Sequence, residues 1–330
     1  MQLTNIALVG LGSVGRKHLR LLRELRPDIS IVVVRSGLGD SSPEEAFATK
    51  IVSTVDEAIR YQVQAAIISS PASLHLKQAQ CFIEAGIHVL VEKPLSHSMD
   101  GIKRLIDSVA LRNLKGLVGY VLRYDPAAQH FRKCLQDPAI GQILHASIVC
   151  GSYLPEWRPQ QDYRKTVSAL KGLGGGALLE LSHELDYMHW FFGFPTELQA
   201  QLTKSNTLEI DVEDSADLTF LSTHNFPVSM HLDFNRRIPT RVCKVQTVLG
   251  ELLWDVLAKQ VIWRRVGKPP EIETFDSERD HVYRVQLKHF FKCVEEDIIP
   301  LVTLHDGVAV IRIVEAAKLA DKSGCRVRIS

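Results

Sequence analysis

The sequence predicts an α/β fold in two parts: a helix-covered parallel sheet over residues 1–122, and an α+β domain with an open, predominantly antiparallel sheet over 123–330. Three observations lead there. The first ~120 residues alternate short apolar runs with helical patterns, the rhythm of parallel strands covered on both faces. A glycine-rich turn follows the first of those runs directly. From 197 to 265 the period becomes two: in Val228-Ser229-Met230-His231-Leu232-Asp233-Phe234 every even residue is apolar, as in a sheet with one buried face.

Strands of the first part are expected at 5–9, 29–34, 65–69, 88–91 and 116–121, with helices at 14–25, 75–85 and 99–112. Pro27 closes the first helix and Gly86 the second. Beyond residue 122, a helix is expected at 127–135 and a strand at 142–149. A polar, aromatic stretch without clear period covers 151–173, and one long helix runs from the Gly174-Gly175-Gly176 turn to residue 192. Asn225 to Pro227 and Gly250-Glu251 supply turns within the period-two region. Helices at 281–296 and 307–322 close the chain.

Composition excludes several classes. Hydrophobic residues make up 45% of the 330 and charged residues 23%, which suits a sizeable core and argues against disorder. Lys and Arg number 39 against 38 Asp and Glu, so the net charge of +1 exerts no global pull on nucleic acid or an anionic membrane. No apolar run approaches the ~18 residues a spanning helix needs. The chain enters its first strand without a basic n-region or cleavage site. Its six cysteines, Cys81, Cys134, Cys150, Cys243, Cys293 and Cys325, are scattered, with no C-x-x-C pair. Neither a disulfide scaffold nor a metal cluster is expected, and a reducing cytoplasm is the expected compartment.

Gly10-Leu11-Gly12-Ser13-Val14-Gly15 fits G-x-G-x-x-G. Alone the pattern is weak, but here it leaves a strand and opens a helix. Gly10 allows the tight turn, Gly12 lets backbone approach a pyrophosphate, and Gly15 lets the helix pack on the sheet. The N–H groups of the helix start, at Ser13 and Val14, then face the phosphates. The bland alternative is a strand–helix turn with no ligand. At the end of the second strand, where NAD sites usually carry a carboxylate for the ribose 2′-hydroxyl, the chain has Val34-Arg35-Ser36-Gly37. Arg35 and Ser36 suit a 2′-phosphate, so NADP is expected. Asp40 lies close enough in sequence to keep NAD open.

Glu92-Lys93-Pro94 carries a resemblance to the glucose–fructose oxidoreductase / inositol dehydrogenase (Gfo/Idh/MocA) family, and the match spans nearly the whole chain. It takes in Gly10 to Gly15 with His18, Ser70-Pro71 with His75, and the run from Ala85 through Glu92-Lys93-Pro94. Gly119-Tyr120-Val121-Leu122-Arg123-Tyr124-Asp125-Pro126 resembles the segment at the domain junction. Gly174 to Trp190 resembles the start of the substrate-domain helix, and Asp306-Gly307 with residues 312–317 the terminal helix. The resemblance implies a Rossmann-type dinucleotide domain, a substrate-binding and oligomerisation domain, and hydride transfer between a nicotinamide and a carbinol of a sugar, cyclitol or nucleotide-linked sugar. It implies that Ser70, Pro71, His75, Glu92 and Lys93 lie beside the cofactor, that Tyr120 and Arg123 lie beside substrate, and that Pro94 follows a cis bond.

Oxidising an alcohol requires a base near its hydroxyl. Lys93, just past a strand's C-terminal end, is the candidate, because open α/β sheets bind ligands there. Without the resemblance it reads as a surface lysine beside Glu92. His183 is the second candidate, positioning the hydroxyl or relaying its proton, with Glu180 one helical turn earlier on the same face. The family more often has Asp-x-Gly-x-His there, so Glu180 departs from the pattern. His183-Glu184 begins like H-E-x-x-H, but Tyr187 stands where the second His would be, and no zinc site is expected. Arg158, Arg164 and Lys165 read either as a solvated loop or as contacts for an anionic substrate group. Two other functions fit the same fold: a nicotinamide-dependent glycosidase and a non-catalytic sugar sensor. The polar sheet face of Ser229, His231 and Asp233 type predicts a homodimer or homotetramer.

Overall fold

A computed structural model describes residues 2–37, 41–278 and 280–329. Its first sheet is built from β1 (Asn5–Val9), β2 (Ser30–Val34), β3 (Lys50–Val52), β4 (Ala65–Ile68), β5 (His88–Val91) and β6 (Gly116–Val118). The order is β3-β2-β1-β4-β5-β6 with every pair parallel. Apart from the edge strand β3, whose Lys50 and Ile51 are exposed, these strands are short Ile, Val, Leu and Ala runs buried on both faces, as a doubly covered sheet demands. The crossover helices are α1 (Ser13–Leu25), α2 (Val55–Arg60), α3 (Ala72–Glu84) and α4 (Ile102–Leu111). Strand order reverses between β1 and β4, and the glycine turn leaves β1 at that switch point, where such sheets bind ligands.

The second sheet is larger. After α5 (Pro126–Gln136) come β7 (Ile143–Gly151), α6 (Leu154–Trp157), α7 (Ala177–Glu180), α8 (His183–Phe192), β8 (Glu197–Thr203) and β9 (Ser215–Leu221). There follow β10 (Pro227–Asp233), β11 (Thr240–Thr247), β12 (Gly250–Asp255), β13 (Gln260–Arg265) and β14 (Glu271–Thr274). Then α9 (His281–Glu295), α10 (Leu304–Ser323) and β15 (Val327–Arg328) complete the chain. Among the described residues the order is β14-β13-β12-β11-β7-β10-β9-β8-β15, and only the β7–β10 pair is parallel. Alternation puts Ile148, Cys150, Met230, Leu232, Cys243, Val245 and Trp254 in the core. The opposite face carries a register row of Gln199, Thr219, Ser229, Ser147 and Lys244.

The chain divides into two compact units, Met1–Val121 with Arg279–Val308, and Leu122–Glu278 with Ala309–Ser330. A single boundary at 122 therefore assigns α9 to the wrong unit. Its Leu287, Phe290, Phe291, Cys293 and Val294 join Leu3, Leu21, Leu22 and Ile29 in one apolar cluster. The expected long helix over 174–192 is also two helices. Between α7 and α8 the bonds Ser182 N–H to Leu179 O (3.3 Å) and Glu184 N–H to Leu181 O (3.1 Å) span three residues, a tighter turn than the α ladder.

Candidate active site

The glycine turn is shaped by close backbone approach. Gly10 has φ +86°, and a Cβ on Gly15 would sit 2.1 Å from the Gly10 carbonyl oxygen. Gly12 differs: a Cβ there meets nothing within 4 Å. Gly12 and Ser13 are exposed, Val14 half-buried, and α1 begins with neither a side-chain cap nor an acidic residue in its first turn. An open glycine backbone and uncapped first-turn N–H groups suit a pyrophosphate. These residues fit a dinucleotide.

At the end of β2, Arg35 is half-buried and pairs with Glu45 (NH1 to Oε1, 3.2 Å). Glu45 reaches this point from the 3₁₀ turn Pro43–Phe47, where it also accepts from the Ser42 N–H (2.9 Å). A carboxylate thus stands at the strand end after all, delivered from ten residues further on. Ser36 is exposed, and Asp40 lies outside the described residues.

Lys93 lies half-buried just beyond β5, in a segment held at both flanks. Upstream, buried Glu92 accepts from His18 Nε2 at 2.7 Å and from the Lys93 N–H at 3.2 Å. Downstream, the Lys93–Pro94 bond is cis, and the Pro94 carbonyl oxygen lies 2.8 Å from His75 Nδ1. His75 Nε2 is 2.8 Å from the Ser70 carbonyl oxygen, and Ser70 Oγ donates to Gln78 Oε1 (2.6 Å) beside half-buried Pro71. Both ring nitrogens of His75 face acceptors, so both bonds form only when the ring is protonated. Burial nonetheless holds its pKa below the ordinary value, against the opposing pull of the Pro94 and Ser70 carbonyls. His75 is 1% exposed and sits between the Pro94 and Ser70 carbonyls.

In the second unit, Glu180 ends α7 and His183 begins α8, both half-buried. They occupy separate helices, although residues three apart in a tight turn still lie near one another. The turn before α7 rests on Glu213, which no sequence pattern signalled. Its Oε1 accepts from the Leu178 N–H (3.1 Å), and a Cβ on Gly176 would fall 2.3 Å from that oxygen. Burial raises the pKa of Glu213, with its hydrogen bonds opposing. Glu184, 0% exposed, accepts from half-buried Arg241 Nε at 2.6 Å, from 57 residues further on in sequence.

The residues expected beside substrate are placed as follows. Tyr120 is 0% exposed and belongs to the core. Arg123, 3% exposed, forks onto Asp186 through Nε (3.0 Å) and NH2 (2.7 Å), so a partner holds it inside the fold. Arg164 pairs with Asp162 (2.8 Å) and Glu209 (2.6 Å), which offsets its charge. Arg158, Arg164 and Lys165 are solvent-exposed, while short helical turns on either side put Tyr153, Trp157 and Tyr163 against Leu154, Ala169, Leu208 and Phe234.

Three family profiles tile this chain. The oxidoreductase family's NAD-binding Rossmann fold matches residues 4–120, the GFO/IDH/MocA C-terminal domain 128–250, and the oxidoreductase family's C-terminal alpha/beta domain 247–329. The chain belongs to the Gfo/Idh/MocA oxidoreductase family. Within this family it is similar to an uncharacterized oxidoreductase of Synechocystis sp., 26% identical over 69% of this chain and 64% of that one. Levoglucosan dehydrogenase of Pseudarthrobacter phenanthrenivorans is 27% identical over 62% and 55%. These matches span just over half to just under two thirds of the relatives' own lengths. The rhizopine catabolism protein MocA of Rhizobium meliloti is 22% identical over 94% and 93%. In fold, levoglucosan dehydrogenase in complex with NADH superposes with a TM-score of 0.89 at 18% identity, over 100% of both chains. The Gfo/Idh/MocA assignment fits the parallel first sheet and the largely antiparallel second one. No helix among the described residues is long and apolar enough to cross a membrane.

Proposed function

We propose that this protein is an NAD(H)-dependent dehydrogenase or reductase that moves hydride between the nicotinamide and a carbinol carbon of a sugar, polyol or nucleotide-linked sugar. The observation that carries the proposal is the doubly anchored Glu92-Lys93-Pro94 segment at the C-terminal end of a parallel strand, in the unit that holds the glycine turn. Relatives named levoglucosan dehydrogenase and inositol 2-dehydrogenase, and a similar fold named UDP-N-acetylglucosamine 3-dehydrogenase, support the substrate class.

Bound dinucleotide supplies the hydride acceptor or donor. Gly10, Gly12, Ser13, Val14 and Gly15 hold its pyrophosphate by backbone N–H groups. Lys93 takes the hydroxyl proton in oxidation and returns it in reduction. His183 orients the hydroxyl, and Glu180 accepts from a neighbouring one. Glu45, paired with Arg35, would repel a 2′-phosphate while suiting a ribose 2′-hydroxyl, which favours NAD over the NADP expected from Arg35 and Ser36.

Lys93→Met tests the assignment, because it keeps most of the volume and removes the amine. Loss of a general acid/base costs about 10²–10⁴-fold in rate, with NADH affinity retained. Near-normal kcat on the substrate found by screening sugars, cyclitols and nucleotide sugars would refute the role of Lys93. Loss of NADH binding instead would make it a cofactor-positioning residue.

A further inference from the structure

His18 lies on the second turn of α1 and is 0% exposed. Its Nδ1 is buried with no hydrogen-bond partner among the described residues. Nε2 faces the carboxylate oxygen Oε1 of Glu92 at 2.7 Å and donates to it. Packing holds the ring in that orientation, since Tyr283 meets it edge-on with centroids 5.7 Å apart. The other carboxylate oxygen, Oε2, accepts from the Lys93 N–H. Space for this carboxylate exists because residue 119 is glycine: a Cβ there would lie 2.7 Å from Oε2 and 3.0 Å from the Glu92 Cα. The helix opened by the glycine turn is thus joined to the backbone of Lys93 through one buried carboxylate.

We infer that His18 is a positioning residue for Lys93, acting through Glu92. The inference rests on the proposed role of Lys93 and extends it. A buried carboxylate that loses its donor must rotate toward another one or take a proton. Either event releases the Lys93 amide on one side, while His75 still holds Pro94 on the other. Small displacements of a reacting group are costly: a shift of about 1 Å can lower a rate ~10²-fold. The pyrophosphate contacts at Gly10 to Gly15 stay in place, so binding and turnover should separate.

His18→Leu and His18→Gln test this together. Leucine fills the site without a donor; glutamine offers an amide N–H at similar reach. For His18→Leu, kcat per NADH-binding site should fall about 10–10²-fold with NADH affinity within about threefold of the parent. His18→Gln should recover most of that loss. In both proteins without cofactor, amide hydrogen exchange at Lys93 supplies a readout independent of activity. It should be faster in His18→Leu than in the parent, and close to the parent in His18→Gln. If His18→Leu only lowers the melting temperature, with normal Lys93 exchange and normal kcat per site, His18 is structural and the inference fails. If Lys93 exchange responds as expected but Lys93→Met keeps its turnover, the coupling stands and the assignment of Lys93 as proton carrier is what fails.

Discussion

Gly12 and Gly15 sit three residues apart in one motif, yet alanine should act on them in opposite ways. At Gly15 the new methyl would stand 2.1 Å from the Gly10 carbonyl oxygen and 2.8 Å from Ser69 Oγ. The nearer obstacle is backbone, so β1 and α1 must separate. Overpacking of this kind costs about 1–3 kcal/mol, or a drop of roughly 2–12 °C at 2–4 °C per kcal/mol for a domain-sized unit. At Gly12 the backbone is extended at φ −66° and ψ −173°, which alanine adopts without strain, and the methyl meets nothing. Lower chain entropy in the unfolded state should then stabilise Gly12→Ala by about 0.4–1 kcal/mol. The same methyl stands where the pyrophosphate approaches, so NADH should bind at least about tenfold more weakly, some 1.4 kcal/mol. Thermal unfolding without nucleotide and calorimetric titration with NADH measure the two effects separately. NADH affinity within about twofold of the parent in Gly12→Ala would refute the placement of the phosphates.

Glu45→Gln should raise NADP affinity relative to NAD, because it removes the carboxylate's repulsion at the 2′-position; an unchanged ratio in calorimetry counts against that placement. Asp186→Asn should cost about 3–5 kcal/mol by removing the carboxylate charge that buried Arg123 forks onto, whereas the Arg123→Met/Asp186→Leu double variant recovers much of it; a loss under about 1 kcal/mol in urea unfolding contradicts a tightly held pair. His75 has a folded pKa below the ordinary histidine value of about 6.5, so its contribution is full above that pH and is lost as pH falls toward and through the folded value. The fall in melting temperature from pH 7 toward 5 should accordingly be smaller in His75→Gln, and an identical fall in both proteins overturns this sign.

What could be read from the sequence was what the chain states locally. The glycine turn after β1 and the period-two strands β9 and β10 each depend on neighbours a few residues away, whereas the cis bond before Pro94 comes only from the family resemblance. What escaped depends on partners brought together by folding. Arg123 is expected beside substrate, and nothing near it in sequence announces Asp186, 63 residues later, which it forks onto. Arg35 reads as a phosphate ligand until the Pro43–Phe47 turn returns Glu45 to its side. The Gly174-Gly175-Gly176 turn gives no hint that Glu213 supports it. The break between α7 and α8 has no glycine or proline to announce it, because a single tighter turn satisfies the same residues.

The return of α9 to the first unit has a consequence for synthesis. When a ribosome has released residues 1–122, Leu3, Leu21, Leu22 and Ile29 still lack the Leu287, Phe290 and Phe291 that cover them. At about 5–20 residues per second, the covering helix follows after roughly ten to thirty seconds. During that interval the nascent nucleotide-binding half carries an uncovered apolar surface and offers a natural target for chaperone capture. The same geometry sets where the gene can be cut: a fragment ending near residue 122 should be sticky and poorly soluble. One that carries residues 281–295 back through a short linker should fold, with Arg26 meeting Glu295 and Glu24 meeting Arg284.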